Sequence, residues 1–284
     1  MRIIRFVMKI WIGTSGYSYP DWVGEFYPPG TRSNKMLPYY CRHFPLVELN
    51  FTFYRPPTRA MLARLADNTP ERFSFLVKLP RSLSHEQSTD DLAGFRDAVA
   101  ELQRREQLMG VLCQMPQSTH YEKKSLHWLK KLGDELSDFR PAVELRHHSW
   151  WREDLPDWMA AHHLDLVAVD VPDLPALFPR GWVQSGRRAY VRLHSRNAGN
   201  WYHGDKERYD YSYSDRELLE WVESLRTAAR ERTEEVLFLF NNCYRGQAVH
   251  NADRLRELIE EQTPQFSVVR PFTERPPKQR SLFD

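Results

Sequence analysis

Eight times along the chain, an apolar or alternating run of strand length recurs, and most of these runs are followed by a segment of helical period. KIWIGTSG (9–16) leads to NKMLPYYCRHF, LVELNFTFY (46–54) to TRAMLARLADN, and RFSFLVKLP (72–80) to DLAGFRDAVAELQRRE. LMGVLCQMP (108–116), PAVELRHHSW (141–150), DLVAVDVP (165–172), AYVRLHSR (189–196) and EEVLFLFNNCY (234–244) continue the series. Parallel strands need crossover connections, so the rhythm restricts the chain to a parallel α/β sheet. At 284 residues it fits a single closed (β/α)8 TIM-barrel-like domain of about 250 residues better than an open doubly wound sheet, although periodicity alone does not separate the two. Residues 1–7 read as an N-terminal extension, 8–272 as the barrel, and 273–284 as a flexible Pro-rich, charged tail. The connection 171–187 is too rich in proline for a full helix, and the loop 196–213 is long for a barrel. Ser214 and Glu217 stand at capping-box spacing before the helix SDRELLEWVESLRTAARER.

Composition removes several alternatives. Hydrophobic residues at 41% and charged ones at 27% exclude wholesale disorder and fibrous repeats. A formal charge of +2 is too weak a field to argue for a polyanion partner, so any such site must be a local patch. Three widely spaced cysteines form no CxxC pair, which fits a reducing cytoplasm and suggests neither a disulfide framework nor a zinc knuckle. No apolar run approaches the roughly 20 residues that span a bilayer.

In a parallel barrel neither face of a strand meets bulk water, so polar residues on strands need partners or a ligand. They gather at the C-terminal strand ends, where barrel enzymes carry their chemistry: Ser15, Glu48, Asn50, Lys78, Gln114, Glu144, Arg146, Asp170, Arg192, His194, Asn241 and Asn242. In VELNFTFY, strict alternation places Glu48, Asn50 and Thr52 in the lumen and Tyr54 at the rim. Lys78 is costly inside a barrel unless it meets Glu48, Glu144 or a substrate anion. In RLHSR, Arg192, His194 and Arg196 alternate onto one face as an anion-binding wall. GTSG (13–16) is either a backbone-amide cradle for phosphate or a plain turn. His85, Glu48, Glu144, Asp170 and His194 are a conceivable mixed ligand set for a divalent metal, but no HExxH or HxH spacing supports it, and the cofactor stays open. The aromatics of WYHGDKERYDYSYSD either stack bases or sugars or lock a lid onto the rim.

GTSGYSYPDWVGEFYPPG, VELNFTFYRPP, FSFLVKLPRSLSH, QMPQS, VELRHHSW, YVRLHSR and FNNCYRGQAVHNA together resemble the YecE-like family, domain of unknown function 72, in order along nearly the whole chain. The resemblance implies a TIM barrel with its signature residues at the C-terminal mouth and no established reaction. Its motif positions fall here on Gly13, Ser15, Gly16, Trp22, Tyr27, Glu48, Asn50, Thr52, Tyr54, Lys78, His85, Gln114, Glu144, Arg146, His147, Trp150, Asp170, Arg192, His194, Asn241 and Asn242. Two positions depart from the family pattern: Phe51 replaces Ser in Asn-Ser-Thr-Phe-Tyr, and Ser195 replaces Gly in His-Gly-Arg. The fold also resembles the barrels of endonuclease IV and xylose isomerase, which says little about function. At the chain end, QRSLF is similar to the peptide by which bacterial repair and replication proteins bind the sliding clamp, with Gln279, Ser281, Leu282 and Phe283 as the contacts; the alternative is a tail folded back as an apolar plug.

The leading expectation is a cytoplasmic, hydrolytic enzyme acting on a phosphate-bearing small molecule or nucleic acid. Glu48, Glu144, His147, His194 and Asp170 are its catalytic candidates, and Ser15, Asn50, Tyr54, Lys78, His85, Gln114, Arg146, Arg192, Asn241 and Asn242 its substrate-binding ones. The alternatives are a non-catalytic DNA-metabolism accessory recruited by the clamp peptide, and a sugar-phosphate isomerase.

Overall fold

The computed structural model describes residues 8–230 and 233–272. The expected extension at 1–7 and the tail bearing Gln279, Ser281, Leu282 and Phe283 lie outside them.

Eight parallel strands close into a barrel: β1 (Lys9–Ser15), β2 (Leu46–Leu49), β3 (Ser74–Lys78), β4 (Leu108–Gln114), β5 (Pro141–Glu144), β6 (Asp165–Asp170), β7 (Arg188–Leu193) and β8 (Glu235–Phe240). Each hydrogen-bonds to its sequence neighbour, and β1 joins β8 to β2. The eight apolar runs of the sequence are thus the eight staves. β1 and β2 meet only at their C-terminal ends, Thr14 beside Val47 and Ser15 beside Glu48. Gly13 permits this approach, because a Cβ there would lie 2.5 Å from the Leu46 carbonyl oxygen. Below that contact a ninth strand, β9 (Ser267–Val268), pairs in parallel with Lys9 and Ile10 and fills the gap. Its sequence signal is a single β-branched residue, Val268, and its pairing is a tertiary effect.

The helical shell consists of α1 (Ser33–Tyr40), α2 (Arg59–Asp67), the single turn α3 (Arg81–Ser84), α4 (Leu92–Arg104), α5 (Lys123–Leu136), α6 (Leu155–Ala161), the short α7 (Asp205–Tyr209), α8 (Asp215–Arg230) and α9 (Gln247–Gln262). No helix follows β6, as the proline-rich connection requires. Ser214 and Glu217 form the capping box: the Ser214 amide donates to Glu217 Oε2 at 2.8 Å. On α9 the stripe Ala252, Leu255, Leu258 and Ile259 is buried against the barrel. None of the helices among the described residues is long and apolar enough to cross a membrane.

The floor of the barrel is sealed by Arg188, which is buried and paired with Asp165. Its Nη1 donates to the Met109 carbonyl at 2.6 Å and its Nη2 to the Arg140 carbonyl at 2.8 Å. Gly110 makes room, since a Cβ there would lie 2.8 Å from Arg188 Nη1. With Arg188 filling the lumen at the N-terminal strand ends, the polar residues of the lumen lie at the C-terminal mouth.

The strand read from Val47 to Tyr54 ends early. After Leu49 the chain turns into a 3-10 helix, Phe51–Phe53. Thr52 stays buried, but as a staple: its hydroxyl donates to the carbonyls of Leu49 at 2.9 Å and Lys78 at 2.6 Å. Phe51, expected on the helix-facing side, is 37% exposed. The alternation of the sequence continues past the strand, but a 3-10 turn has three residues per turn and does not keep period 2, so beyond Leu49 it no longer reports which way a side chain faces.

Candidate active site at the barrel mouth

Four strands place side chains into one buried network. Arg192, on β7, donates to Glu48 on β2 through Nε (2.9 Å) and Nη2 (2.6 Å), a two-point grip. Its Nη1 pairs with Glu144 at the end of β5, and its Nη2 reaches Ser15 Oγ of β1 at 3.3 Å. The Tyr190 hydroxyl, two residues before Arg192 and so on the same face, donates to Glu48. Arg146 Nε donates to the other oxygen of Glu144 at 2.8 Å. His194 continues the β7 face: its Nε2 lies 3.1 Å from Glu144 and its Nδ1 accepts from Asn241 Nδ2 at 2.9 Å. That amide donor fixes the tautomer, leaving the proton on Nε2 facing the carboxylate.

The electrostatics follow from burial and neighbours. Burial pushes Glu48 up, but Arg192, Tyr190 and Lys78 override it and hold the carboxyl below its usual range. Glu144 is likewise pushed up by burial and pulled well below the usual range by Arg192, His194 and Arg146. Burial drives His194 down to about 4 against the pull of Glu144, so it is a neutral imidazole. These two carboxylates and this histidine are therefore committed to holding Arg192, Arg146 and each other.

Lys78 is different. It ends β3, is only half-buried, and its Nζ donates to Gln114 Oε1 at 2.8 Å. Among the described residues no carboxylate lies within ion-pair distance of it, so the ion pair with Glu48 or Glu144 that the sequence allowed does not form. Burial, then Arg192 and Arg146, lower it to about 8 against Glu48 and Glu144. Its ammonium lies 4.5 Å from the centre of the Phe53 ring, and His85 packs on the same ring edge-on at 4.8 Å. Burial and the charges of Lys78, Arg146 and Arg81 bring His85 to about 4. Asn50, at the end of neighbouring β2, holds its Oδ1 buried with no protein partner. Lys78, Arg146 and Arg192 thus face Glu48 and Glu144, three cations against two carboxylates, with the excess on the solvent side.

The remaining candidates lie apart. Asp170 is buried but turns to the helix shell, where it takes Arg196 Nη2 at 2.7 Å and the Trp221 indole of α8 at 2.6 Å. Arg196 consequently leaves the expected anion-binding wall. His147 stacks on His120 with ring centres 3.8 Å apart, and its Nδ1 accepts from the Ser149 amide at 3.1 Å. Burial and these neighbouring histidines lower it, and none of the lumen charges touches it. Asn242 faces α9 instead, donating to Asn251 Oδ1 and the Tyr211 carbonyl, both at 2.8 Å. Tyr54 is 81% exposed. The mixed ligand set does not converge, and among the described residues no group of three or more His, Cys, Asp or Glu is placed to hold a metal ion. GTSG is neither a turn nor a phosphate cradle but the end of β1: Gly13 to Ser15 are strand, the Gly16 amide donates to the Glu48 carbonyl at 2.8 Å, and Tyr19 Oη donates to the Ser15 carbonyl at 2.6 Å. Cys243 is pushed to about 12 by burial and is no nucleophile.

The long loop after β7 covers the centre of the mouth. Trp201 is buried, its ring 6.3 Å from that of His194, and Gln117 Nε2 donates to the Tyr202 hydroxyl at 3.1 Å. Between Glu144, Arg146, Phe178 and Trp201 only about 10 Å³ of space remains, room for about one water. The aromatics thus lock a lid over the Glu144 side of the mouth, and Lys78, Arg146 and His85 stay partly exposed beside it. Tyr190, Phe53 and Trp201 were not singled out as site residues from sequence. Tyr190 was legible, since it shares a period-2 face with Arg192 and His194.

The sequence model of a family described as "Protein of unknown function DUF72" matches residues 11–279. The chain belongs to the DUF72 family. The YunF protein of Bacillus subtilis, a UPF0759 protein, is 28% identical over 275 residues, 88% of this chain and 95% of that one. A crystal structure of a DUF72 family protein from Thermotoga maritima superposes with a TM-score of 0.81 at 36% identity, covering 89% of this chain and 99% of that one. One from Enterococcus faecalis gives 0.78 at 25% identity, covering 88% and 95%. The DUF72 barrel is therefore this chain's fold, with the Glu48–Arg192–Glu144 network at its mouth.

Proposed function

We propose that this DUF72 chain is an enzyme that takes a phosphate-bearing substrate at the barrel mouth, with Lys78 and Arg146 gripping the phosphate. The observation that carries the reading is the uncompensated ammonium of Lys78 beside Arg146 on the accessible rim. A half-buried cation with no carboxylate at ion-pair distance is costly, and an arriving anion reduces that cost. Asn50, with an unpartnered buried oxygen, is free to orient a hydroxyl or amine of the substrate. Glu48 and Glu144 preorganise Arg192 and Arg146, while Lys78 at about 8 is the group able to move a proton near neutral pH, and His85, held at about 4, stays a neutral hydrogen-bonding group.

Calorimetric titration with ribose 5-phosphate, a 5′-phosphorylated dinucleotide and unphosphorylated ribose tests this. Lys78→Ala and Arg146→Ala should each weaken phosphate-dependent binding by about tenfold or more, the loss of a charge-assisted hydrogen bond. Unchanged binding of every phosphate-bearing ligand in both variants would sink the reading.

A further inference from the structure

We propose that Lys78 condenses with the carbonyl carbon of a phosphorylated aldehyde or ketone, its phosphate held by Arg146, to form a protonated imine. This rests on the anion-site reading and names its substrate class.

The side chain has what a nucleophilic amine needs. It is half-buried at a strand end, opens to the accessible rim, and has a neutral amide, Gln114, as its hydrogen-bond partner rather than a carboxylate. The groups facing it are Glu48 on β2, Glu144 and Arg146 at the end of β5, Arg192 on β7, His85 after α3, and the Phe53 ring. The two guanidiniums bear directly on the ammonium, whereas both carboxylates are engaged by those same guanidiniums. Burial followed by these cations brings the amine to about 8. At pH 7 about a tenth of it is then the neutral nucleophile, against well under a hundredth for an unperturbed lysine.

The step balances without a co-reactant. The Nζ lone pair adds to the carbonyl carbon, the C=O π pair moves to oxygen, and a proton passes from nitrogen to oxygen to give a carbinolamine. That hydroxyl takes a second proton from solvent at the open rim and leaves as water while the nitrogen lone pair closes the C=N⁺ bond. Arg146 keeps the phosphate, and Asn50 Oδ1 is available to the substrate's hydroxyl.

The test is reductive trapping. The whole protein is incubated with glyceraldehyde 3-phosphate or glyceraldehyde and sodium borohydride, which delivers hydride to any imine, and the labelled lysines are mapped by peptide mass. The expected result is a stable adduct on Lys78, formed at about tenfold lower concentration of the phosphorylated probe. Lys123 and Lys124, on the exposed start of α5, serve as internal references. Lys78→Arg, which keeps the charge, should retain inorganic phosphate binding and lose the adduct; Arg146→Ala should erase the preference for the phosphorylated probe. Lys78 left unlabelled, or labelled no faster than Lys123, overturns the imine. If inorganic phosphate still binds in that case, the anion site stands without it; if phosphate does not bind, the anion reading has failed first.

Discussion

Removing the arginine at the centre of the mouth should cost the fold far more than removing either carboxylate it holds. In Arg192→Met the side-chain volume is roughly kept, but Glu48 retains only the Tyr190 hydroxyl, while Glu144 keeps Arg146 and His194. A carboxylate left buried without its cation costs about 3–5 kcal/mol. At about 2 °C per kcal/mol for a chain of this size, the melting temperature should fall by roughly 6–10 °C. In Glu48→Gln the shape is preserved and Arg192 still pairs with Glu144, so the loss is that of one set of charged hydrogen bonds, about 1.5–3 kcal/mol. The two variants also differ in pH dependence. Without Arg192 the folded-state pKa of Glu48 rises above its unfolded value, so the stability deficit shrinks as pH falls toward the carboxylate range and the stranded group takes a proton. Reversible urea unfolding followed by circular dichroism at pH 7.5 and pH 5, with thermal melts alongside, measures both effects. The reasoning fails if Arg192→Met melts within about 2 °C of the wild type, or if Glu48→Gln is the worse variant.

Three further outcomes are expected. His194 has its folded pKa depressed to about 4, so the unfolded chain binds a proton that the native state refuses; native stability should fall as pH drops from the ordinary histidine range toward 4, and His194→Gln should flatten that slope in urea titrations. Sulfate, which does not titrate in this range, should bind tightly below pH 8 and lose affinity as Lys78 deprotonates above it; Lys78→Arg should abolish the decline, and a pH-independent wild type would count against Lys78 as the grip. For the C-terminal peptide, we propose clamp recruitment, and removing residues 279–284 should eliminate co-purification with the sliding clamp while leaving the melting temperature of the barrel unchanged; equal recovery of full-length and truncated chains would remove the clamp proposal.

The fold was legible because periodicity reports burial directly: a parallel strand covered on both faces must be a short apolar run, and all eight runs became staves. What failed was placement of single side chains at the strand ends, where the backbone leaves the strand. Alternation in VELNFTFY persists through a 3-10 turn, so Thr52 became a backbone staple and Tyr54 a surface residue. On β7 Arg192 and His194 kept the expected face, which Tyr190 shares, but Arg196 lies three residues past the end of the strand and turns out to Asp170. Asp170 itself ends β6 on the face opposite the lumen, and no composition signal distinguishes the two faces when both are buried. His147 and Asn242 follow the ends of β5 and β8 in the same way, and tertiary partners, His120 and Asn251, decided where they point. The polar set Ser15, Glu48, Glu144, Arg146, Arg192, His194 and Asn241 did converge, because the four strand positions Ser15, Glu48, Glu144 and Arg192 point inward, His194 and Asn241 follow β7 and β8 by one residue, and Arg146 reaches back to Glu144.

Lys78 and Arg146 are proposed to form an anion site, and crystals of the protein soaked with selenate and measured at the selenium edge would show it. An anomalous peak is expected with oxygens within about 3 Å of both Lys78 Nζ and the Arg146 guanidinium, absent in Lys78→Ala crystals. A rim without selenate, or selenate only at sites distant from these two residues, would contradict it.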